Sequence, residues 1–393
     1  MRSLELFSGA GGLARGLESA GFEHASFVDF NKHACESLRE NFDRNKVFFG
    51  DVRSFNFDSV GEVDIVAGGP PCQPFSLGGK HGAHQDDRDM FPYAIKAIER
   101  LSPRAFLFEN VKGLLRESFS DYFAYIILRL TYPGCTSDGF PNWREHLERL
   151  REISKIPYAG VKYNVQYRLI NAADYGVPQM RERVIIVGMR SDLVSNWSFP
   201  APTHSEDRLL WDMHVSGEYW DRLQVMKSER TTPDTALREK VARLTDAFGM
   251  FEPQHLAWRT VRDALHDTPD PRIDHGISDH VFKDGARSYP GHTGSDYDWP
   301  SKTIKAGGHG VPGGENMIRF SDGSIRYFTV FEAKRIQTFP DDFVIKGAWG
   351  EAMRQIGNAV PVLLGEIIGS SIASALVQQD ANKQIQRQQV GRR

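Results

Sequence analysis

Cys72 is the residue whose surroundings point most directly to chemistry. It stands in Gly68-Gly69-Pro70-Pro71-Cys72-Gln73-Pro74-Phe75-Ser76, straight after the apolar run Val63-Asp64-Ile65-Val66-Ala67. Consecutive glycines and prolines exclude a helix and fix the path of the chain, so conformational freedom is given up to aim the side chain that follows. A free thiol has a pKa of about 8.5 and becomes a nucleophile at neutral pH only with help from nearby dipoles or cations. A single cysteine also serves as a small buried hydrophobe; the rigid flanks favour the nucleophile. Glu109-Asn110-Val111 is expected just past the strand Ala105 to Phe108. Carboxyl ends of parallel strands share one rim, which would bring Glu109 to the side where Cys72 emerges. A carboxyl there could donate to a ring nitrogen and activate an electron-poor heterocycle, although a salt-bridged glutamate reads the same way. Gln179-Met180-Arg181-Glu182-Arg183, ahead of another strand, can set Arg181 and Arg183 on one face. Two guanidiniums could then hold the carboxylate and reach a ring oxygen.

A second group of residues suggests a ligand with a ribose and a base. Gly9, Gly11 and Gly12 lie at a strand-to-helix turn, where bare backbone and helix N-terminal amides admit close approach. Asp29 follows roughly 20 residues on, at the end of the next strand, where an acid can accept both hydroxyls of a ribose. Phe30 could stack on an adenine, and Asp51, at the third strand end, could accept from its amino group. Solvated acids at strand termini remain the plainer alternative.

The elements that must position these residues are legible as alternation. Strands are expected at Ser3 to Phe7, Ala25 to Phe30, Val47 to Asp51, Val63 to Ala67 and Ala105 to Phe108, with helices at Lys32 to Asn41 and Met90 to Leu101. That rhythm predicts an α/β fold with a parallel sheet covered on both faces. Residues 132–160 read as a surface insertion carrying a charged helix, Trp143 to Ile153. Strands at Asn164 to Ile170 and Arg183 to Val187 would close the sheet. Beyond Arg190 the chain reads as loop-rich up to Tyr327. It then returns with a helical run from Val330 to Thr338 and an apolar helix from Val362 to Val377, before a Gln-rich tail from Gln378 expected to fray.

Composition bounds the rest. The 393 residues carry 48 basic and 51 acidic side chains and are 40% hydrophobic, which gives one large domain or two modest ones with a real core and excludes a disordered chain. A net charge of −3 excludes a uniformly basic binder but not a locally basic cleft. Cys35, Cys72 and Cys135 lie far apart, so neither a disulfide framework nor a metal cluster is expected. The N-terminus fits neither a signal peptide nor a membrane span, and a soluble, cytoplasmic protein is expected.

Five segments, taken in order, resemble the motif series of the DNA (cytosine-5)-methyltransferases: Phe7 to Gly12, Gly68 to Ser76, Glu109 to Val111, Gln179 to Arg183, and Gln355-Ile356-Gly357-Asn358-Ala359-Val360-Pro361. The resemblance spans nearly the whole chain. It implies a Rossmann-like S-adenosylmethionine-dependent domain at 1–190 plus 326–393, and a smaller irregular target-recognition domain at 191–325. It makes Cys72 the nucleophile at cytosine C6, Glu109 the acid at N3, and Arg181 and Arg183 the organisers of the pocket. Phe7, Gly9, Gly12, Asp29, Phe30, Asp51, Val52, Pro71, Phe91, Asn358 and Val360 become contacts to S-adenosyl-L-methionine, with Phe91 where the family usually has Leu. Ser76, Lys80, Arg88, Thr303, Gly307 and Gly308 become positions facing double-stranded DNA, whose target cytosine must be flipped out of the stack. The implied setting is a bacterial modification enzyme with a cognate restriction endonuclease, and no metal or membrane. A tRNA-modifying relative and a non-catalytic DNA-binding regulator are the weaker alternatives.

Overall fold

The computed structural model describes residues 1–71, 89–194, 196–306 and 316–390. The chain forms two compact units. One comprises Met1–Ile170, Glu182–Pro200 and Gly365–Arg393, the other Asn171–Arg181 and Ala201–Leu364.

The first unit is built on a seven-stranded sheet, β1 (Arg2–Leu6), β2 (Glu23–Asp29), β3 (Val47–Phe49), β4 (Ile65–Gly68), β5 (Ala105–Val111), β6 (Tyr163–Asn171) and β7 (Glu182–Arg190), in the order β3-β2-β1-β4-β5-β7-β6. β1 to β5 pair in parallel, while β7 runs antiparallel to β5, so the sheet is mixed rather than wholly parallel. The order reverses between β1 and β4, and in such sheets ligands bind in the crevice at the strand carboxyl ends beside that switch point. Leu6 pairs with Gly68 and Gly68 with Phe108, which levels the ends of β1 and β4, while β5 continues three residues further to Val111.

Helices α1 (Gly12–Ser19), α2 (Lys32–Asn41), α3 (Phe91–Leu101), α4 (Ser120–Thr131) and α5 (Trp143–Ile153) belong to this unit. Alternation along the strands sends Leu4, Leu6, Val66, Phe106 and Phe108 into one core with Ile95 and Ile98 of α3 and Phe123 and Ile126 of α4. Phe27 packs instead with Ala14 of α1 and Cys35 and Leu38 of α2. Burial, with the Asp29 carboxylate nearby, pushes the Cys35 thiol up to about 12, so it is inert core. Asn31 starts α2 by accepting from the Ala34 amide at 2.9 Å.

The second unit contains α6 (Glu206–His214), α7 (Glu218–Arg222), α8 (Thr235–Phe248) and α9 (Val261–Leu265). Its strands are the pair β8 (His204–Ser205) and β9 (Leu256–Ala257) and the three-stranded β10 (Ser295–Asp296), β11 (Met317–Arg319) and β12 (Ile325–Tyr327). The stretch after Arg190 is therefore more helical than its composition suggested. A tryptophan-rich core supplies the reason: Leu209, Met213, Tyr219 and Trp220 close around Trp258 and Trp299, so short amphipathic helices gain burial that no long apolar run announces. α10 (Val330–Ile336) and α11 (Trp349–Asn358) pack with Val261, Leu265, Ile304 and Phe328. By contact the second unit takes in Asn171–Arg181 and Ala201–Leu364, and Gly365 onward returns to the first.

Helix α12 runs from Val362 to Val390, past the point where the tail was expected to fray. Arg104 holds its later turns, donating to Leu376 O at 3.0 Å and to Asp380 at 2.7 Å. The stretch Trp349–Gln384 is long and apolar enough to cross a membrane by composition alone. Gly365 and Gly369 nevertheless rest against Leu13 and Leu17 of α1, as in a core helix.

Candidate active site

At the end of β1 the backbone turns through Phe7 and Gly9, both near φ +54, and Gly11 at +88. A Cβ on Gly9 would stand in open space, whereas one on Gly11 would meet Phe42 and Leu38 below 3 Å. The turn therefore shows bare backbone outward and leaves no room inward. Gly12 opens α1 behind it. Asp29 braces the turn: one carboxylate oxygen accepts from the Gly9 amide at 2.8 Å and the other from the Asn31 amide at 2.7 Å. The Phe30 ring beside it is 70% exposed. Asp51 accepts from the amide and guanidinium of Arg53, which hold its carboxyl below the usual carboxylate range and keep it an acceptor. Bare turn, carboxylates and uncovered ring together suit an adenosine-bearing ligand. Val52 and Phe91, both expected as contacts to it, are buried within the core of this unit.

The second strand end carries the candidate acid. Glu109 and Asn110 are not past β5 but inside it, paired with Ile185 and Val184 of β7. Arg183 lies diagonally across that ladder, and its Nε is 2.7 Å from Glu109 Oε1, with the two side chains only 14% and 11% exposed. Glu109 Oε2 is 3.4 Å from where a Cβ on Gly69 would stand, so the carboxylate borders the backbone that leads to Cys72. Asn110 adds a contact that sequence reasoning gave no role: its Nδ2 donates to Pro70 O at 3.0 Å. Pro71 O accepts from the Met90 amide at 3.1 Å. Gly68 lies against Leu6, where a Cβ would come within 2.0 Å of the carbonyl oxygen. The chain that leads into Cys72 is thus fixed on three sides.

In the second unit, Arg181 is 1% exposed and donates to Gly357 O at 2.9 Å and Ile304 O at 3.5 Å. Thr303 Oγ1 donates to Met180 O at 2.8 Å. Gln337 Nε2 donates to Ile356 O and Ala359 O, which leaves Asn358 exposed between them, while Val360 is buried. Cys72, Ser76, Lys80, Arg88, Gly307 and Gly308 lie outside the described residues.

A family model for the C-5 cytosine-specific DNA methylases matches residues 1–134 and 145–374. The chain belongs to that family. It is a DNA (cytosine-5)-methyltransferase. The chain is 31% identical over 381 residues to the Type II methyltransferase M.NgoMIV of Neisseria gonorrhoeae, covering 95% of this chain and 97% of that one. It is 32% identical over 376 residues to M.PspPI of Psychrobacter sp., covering 95% and 79%. The fold is similar to that of the S. pombe Dnmt2 methyltransferase, with a TM-score of 0.54 at 16% identity over 96% of this chain and 98% of that one. In the methyltransferase, Asn110 and Met90 bond to the two prolines ahead of Cys72, contacts to which the sequence pattern assigns no residue. The one available signal was an amide side chain directly after the strand-end acid.

Proposed function

We propose that this methyltransferase modifies C5 of a flipped cytosine in one specific duplex DNA sequence, as the modification partner of a type II restriction endonuclease, in the cytoplasm. Its relatives named Type II methyltransferases, matched along nearly the whole chain, support that setting. Residues 1–190 and 326–393 would carry the chemistry and 191–325 the reading of DNA, with Ser76, Lys80, Arg88, Thr303, Gly307 and Gly308 facing the duplex. The observation that carries the reading is the Arg183-bound carboxylate of Glu109 beside Gly69, three residues before Cys72.

The side chains divide the work as follows. The Cys72 thiolate adds to cytosine C6, and the electron pair of the C5–C6 double bond moves toward C5 and the ring. Glu109, oriented by Arg183, faces N3 and stabilises the proton there as charge builds on the ring. S-adenosyl-L-methionine would be held by Phe7, Gly9, Gly12, Asp29, Phe30, Asp51, Val52, Pro71, Phe91, Asn358 and Val360, and would supply the methyl group for C5. Once C5 carries that group, loss of its proton to a base restores the double bond and expels the Cys72 thiolate. Arg181 keeps the Gly357 segment, and with it Asn358, in place.

The test is covalent trapping on duplexes containing 5-fluorocytosine, whose C5 has no proton to lose. Bisulfite sequencing of DNA from cells making the protein would first define the target. The wild-type enzyme should form a denaturation-resistant adduct with the methyl donor present, and Cys72→Ser should form none while still binding the donor. An adduct in the Cys72→Ser variant would remove the thiol from the mechanism.

A further inference from the structure

The family model passes over residues 135–144, yet the structure ties that segment to the chain around the candidate nucleophile. Asn142 caps α5 by accepting from the Arg144 and Glu145 amides at 3.0 and 3.1 Å, which fixes Trp143 as the first helical residue. The Arg144 guanidinium sits over the Trp143 ring at 4.5 Å, and the ring meets the Tyr122 ring of α4 edge-on, 5.1 Å between centroids at 82°. His146, one turn further along α5, reaches Tyr125 of α4, Nδ1 to OH 3.1 Å, and stacks on Phe140. Arg151 donates to Asp121 at 3.1 Å. These contacts press α5 onto the face of α4 that carries Tyr122.

The Tyr122 hydroxyl, held in place by that packing, donates to Asp89 Oδ2. The other oxygen of Asp89 accepts from the Phe91 amide at 3.2 Å and starts α3. The next residue, Met90, donates its amide to Pro71 O. Asp89 and Met90 therefore anchor the chain where it returns from the segment holding Cys72, and Met90 joins that return to the residue directly before the cysteine.

We propose that the added 135–144 segment acts on the methyl transfer at one remove: Trp143 braces Tyr122, Tyr122 holds Asp89, and this anchor sets the position of Pro71 and hence of the thiol. Tyr122 and Trp143 are positioning residues. The inference rests on Cys72 being the nucleophile. Small displacements of a reacting group are costly, roughly a hundredfold in rate per ångström, so a brace outside the reacting atoms reads out in turnover.

The experiment compares full-length Tyr122→Phe, Trp143→Ala and Trp143→Phe with wild type on the duplex found by bisulfite sequencing. Tyr122→Phe removes one hydroxyl bonded to a carboxylate and should lower kcat about tenfold through misplacement of the reacting group, with the KM for S-adenosylmethionine unchanged and the melting temperature lowered by only a few degrees. Amide hydrogen exchange at Met90 and Phe91 should quicken. Trp143→Ala should show the same loss, Trp143→Phe should restore most of it, and combining Tyr122→Phe with Trp143→Ala should cost no more than the larger single loss. Unchanged kcat in Tyr122→Phe, unchanged exchange at Met90 and Phe91, or losses that multiply in the double variant would each overturn the inference. Fluorocytosine trapping separates the two failures. A wild type that never traps sinks the nucleophile, whereas a Tyr122→Phe enzyme that traps at the wild-type rate sinks the brace alone.

Discussion

Replacing Arg183 with methionine tests whether the Glu109 carboxylate depends on its partner. The two charges meet at 2.7 Å with both side chains mostly out of solvent. Unit charges about 4 Å apart at an effective dielectric near 20 attract by about 4 kcal/mol, and that attraction is set against the hydration both groups have lost. Methionine keeps the length and apolar stem of the side chain but leaves the carboxylate without its cation, a change that typically costs about 3–5 kcal/mol. We expect Arg183→Met to lose about 3 kcal/mol, which at a urea dependence of about 2–3 kcal/mol per molar shifts the unfolding midpoint by about 1 M. Adding Glu109→Gln removes the stranded charge, so the double variant should be more stable than Arg183→Met alone, with a coupling of about 2 kcal/mol in the cycle. Turnover should fall in all three variants, because neither a displaced carboxylate nor an amide can do the work of Glu109 at N3. A wild-type midpoint for Arg183→Met, or a double variant less stable than that single, would refute the claim that this pair is desolvated and mutually dependent.

Phe30→Ala should weaken S-adenosylmethionine binding several-fold by calorimetry, as loss of one aromatic stacking partner does, while an uncovered ring costs the fold nothing; an unchanged Kd would remove Phe30 from the ligand site. Gly68→Ala places a methyl group 2.0 Å from Leu6 O and should destabilise by more than about 3 kcal/mol, read as loss of soluble protein or a lowered urea midpoint; a normal midpoint would mean β1 and β4 can part there. Burial, with the Arg129 charge nearby, holds the His146 imidazole down to about 4, below the ordinary value of 6.5. Between those values the unfolded chain binds a proton that the fold refuses, so its contribution is present above pH 6.5 and is lost as the pH falls toward 4. His146→Gln should therefore show a smaller drop in melting temperature from pH 7 to pH 5 than wild type, and an equal drop would contradict the assignment.

What the sequence made legible follows from what each element depends on. The sequence pattern predicts α2 and α5 at their observed bounds because both carry local signals, an Asn cap before each and apolar residues such as Leu147 and Leu150 at helical spacing. The sequence pattern puts Glu109 and Asn110 beyond their strand, because polar residues after an apolar run look like a turn. Only pairing with Ile185 and Val184, some 75 residues away in the chain, keeps them extended. The helices of the second unit hid for the same kind of reason. α8 buries a single leucine, Leu244, so its sequence shows little of the face it uses.

The two arginines show where a local rule stops. Arg181 and Arg183 are two apart, and strand alternation would put both on the carboxylate. But β7 begins at Glu182, so the rule governs only Arg183, which does meet Glu109. Arg181 lies one residue before the strand, where the Asn171 side chain accepts its amide at 3.2 Å and its guanidinium donates to Gly357 O and Ile304 O. A Cβ on Gly357 would come within 2.6 Å of the Ala306 amide, so α11 and the 303–306 strip are in contact with nothing between them. Arg181 thus joins two late motifs, each more than 120 residues away in the chain, by hydrogen bonds to their carbonyls. Such a role leaves no periodicity to read, because backbone acceptors carry no side-chain identity; only the completed fold brings those carbonyls to one buried guanidinium.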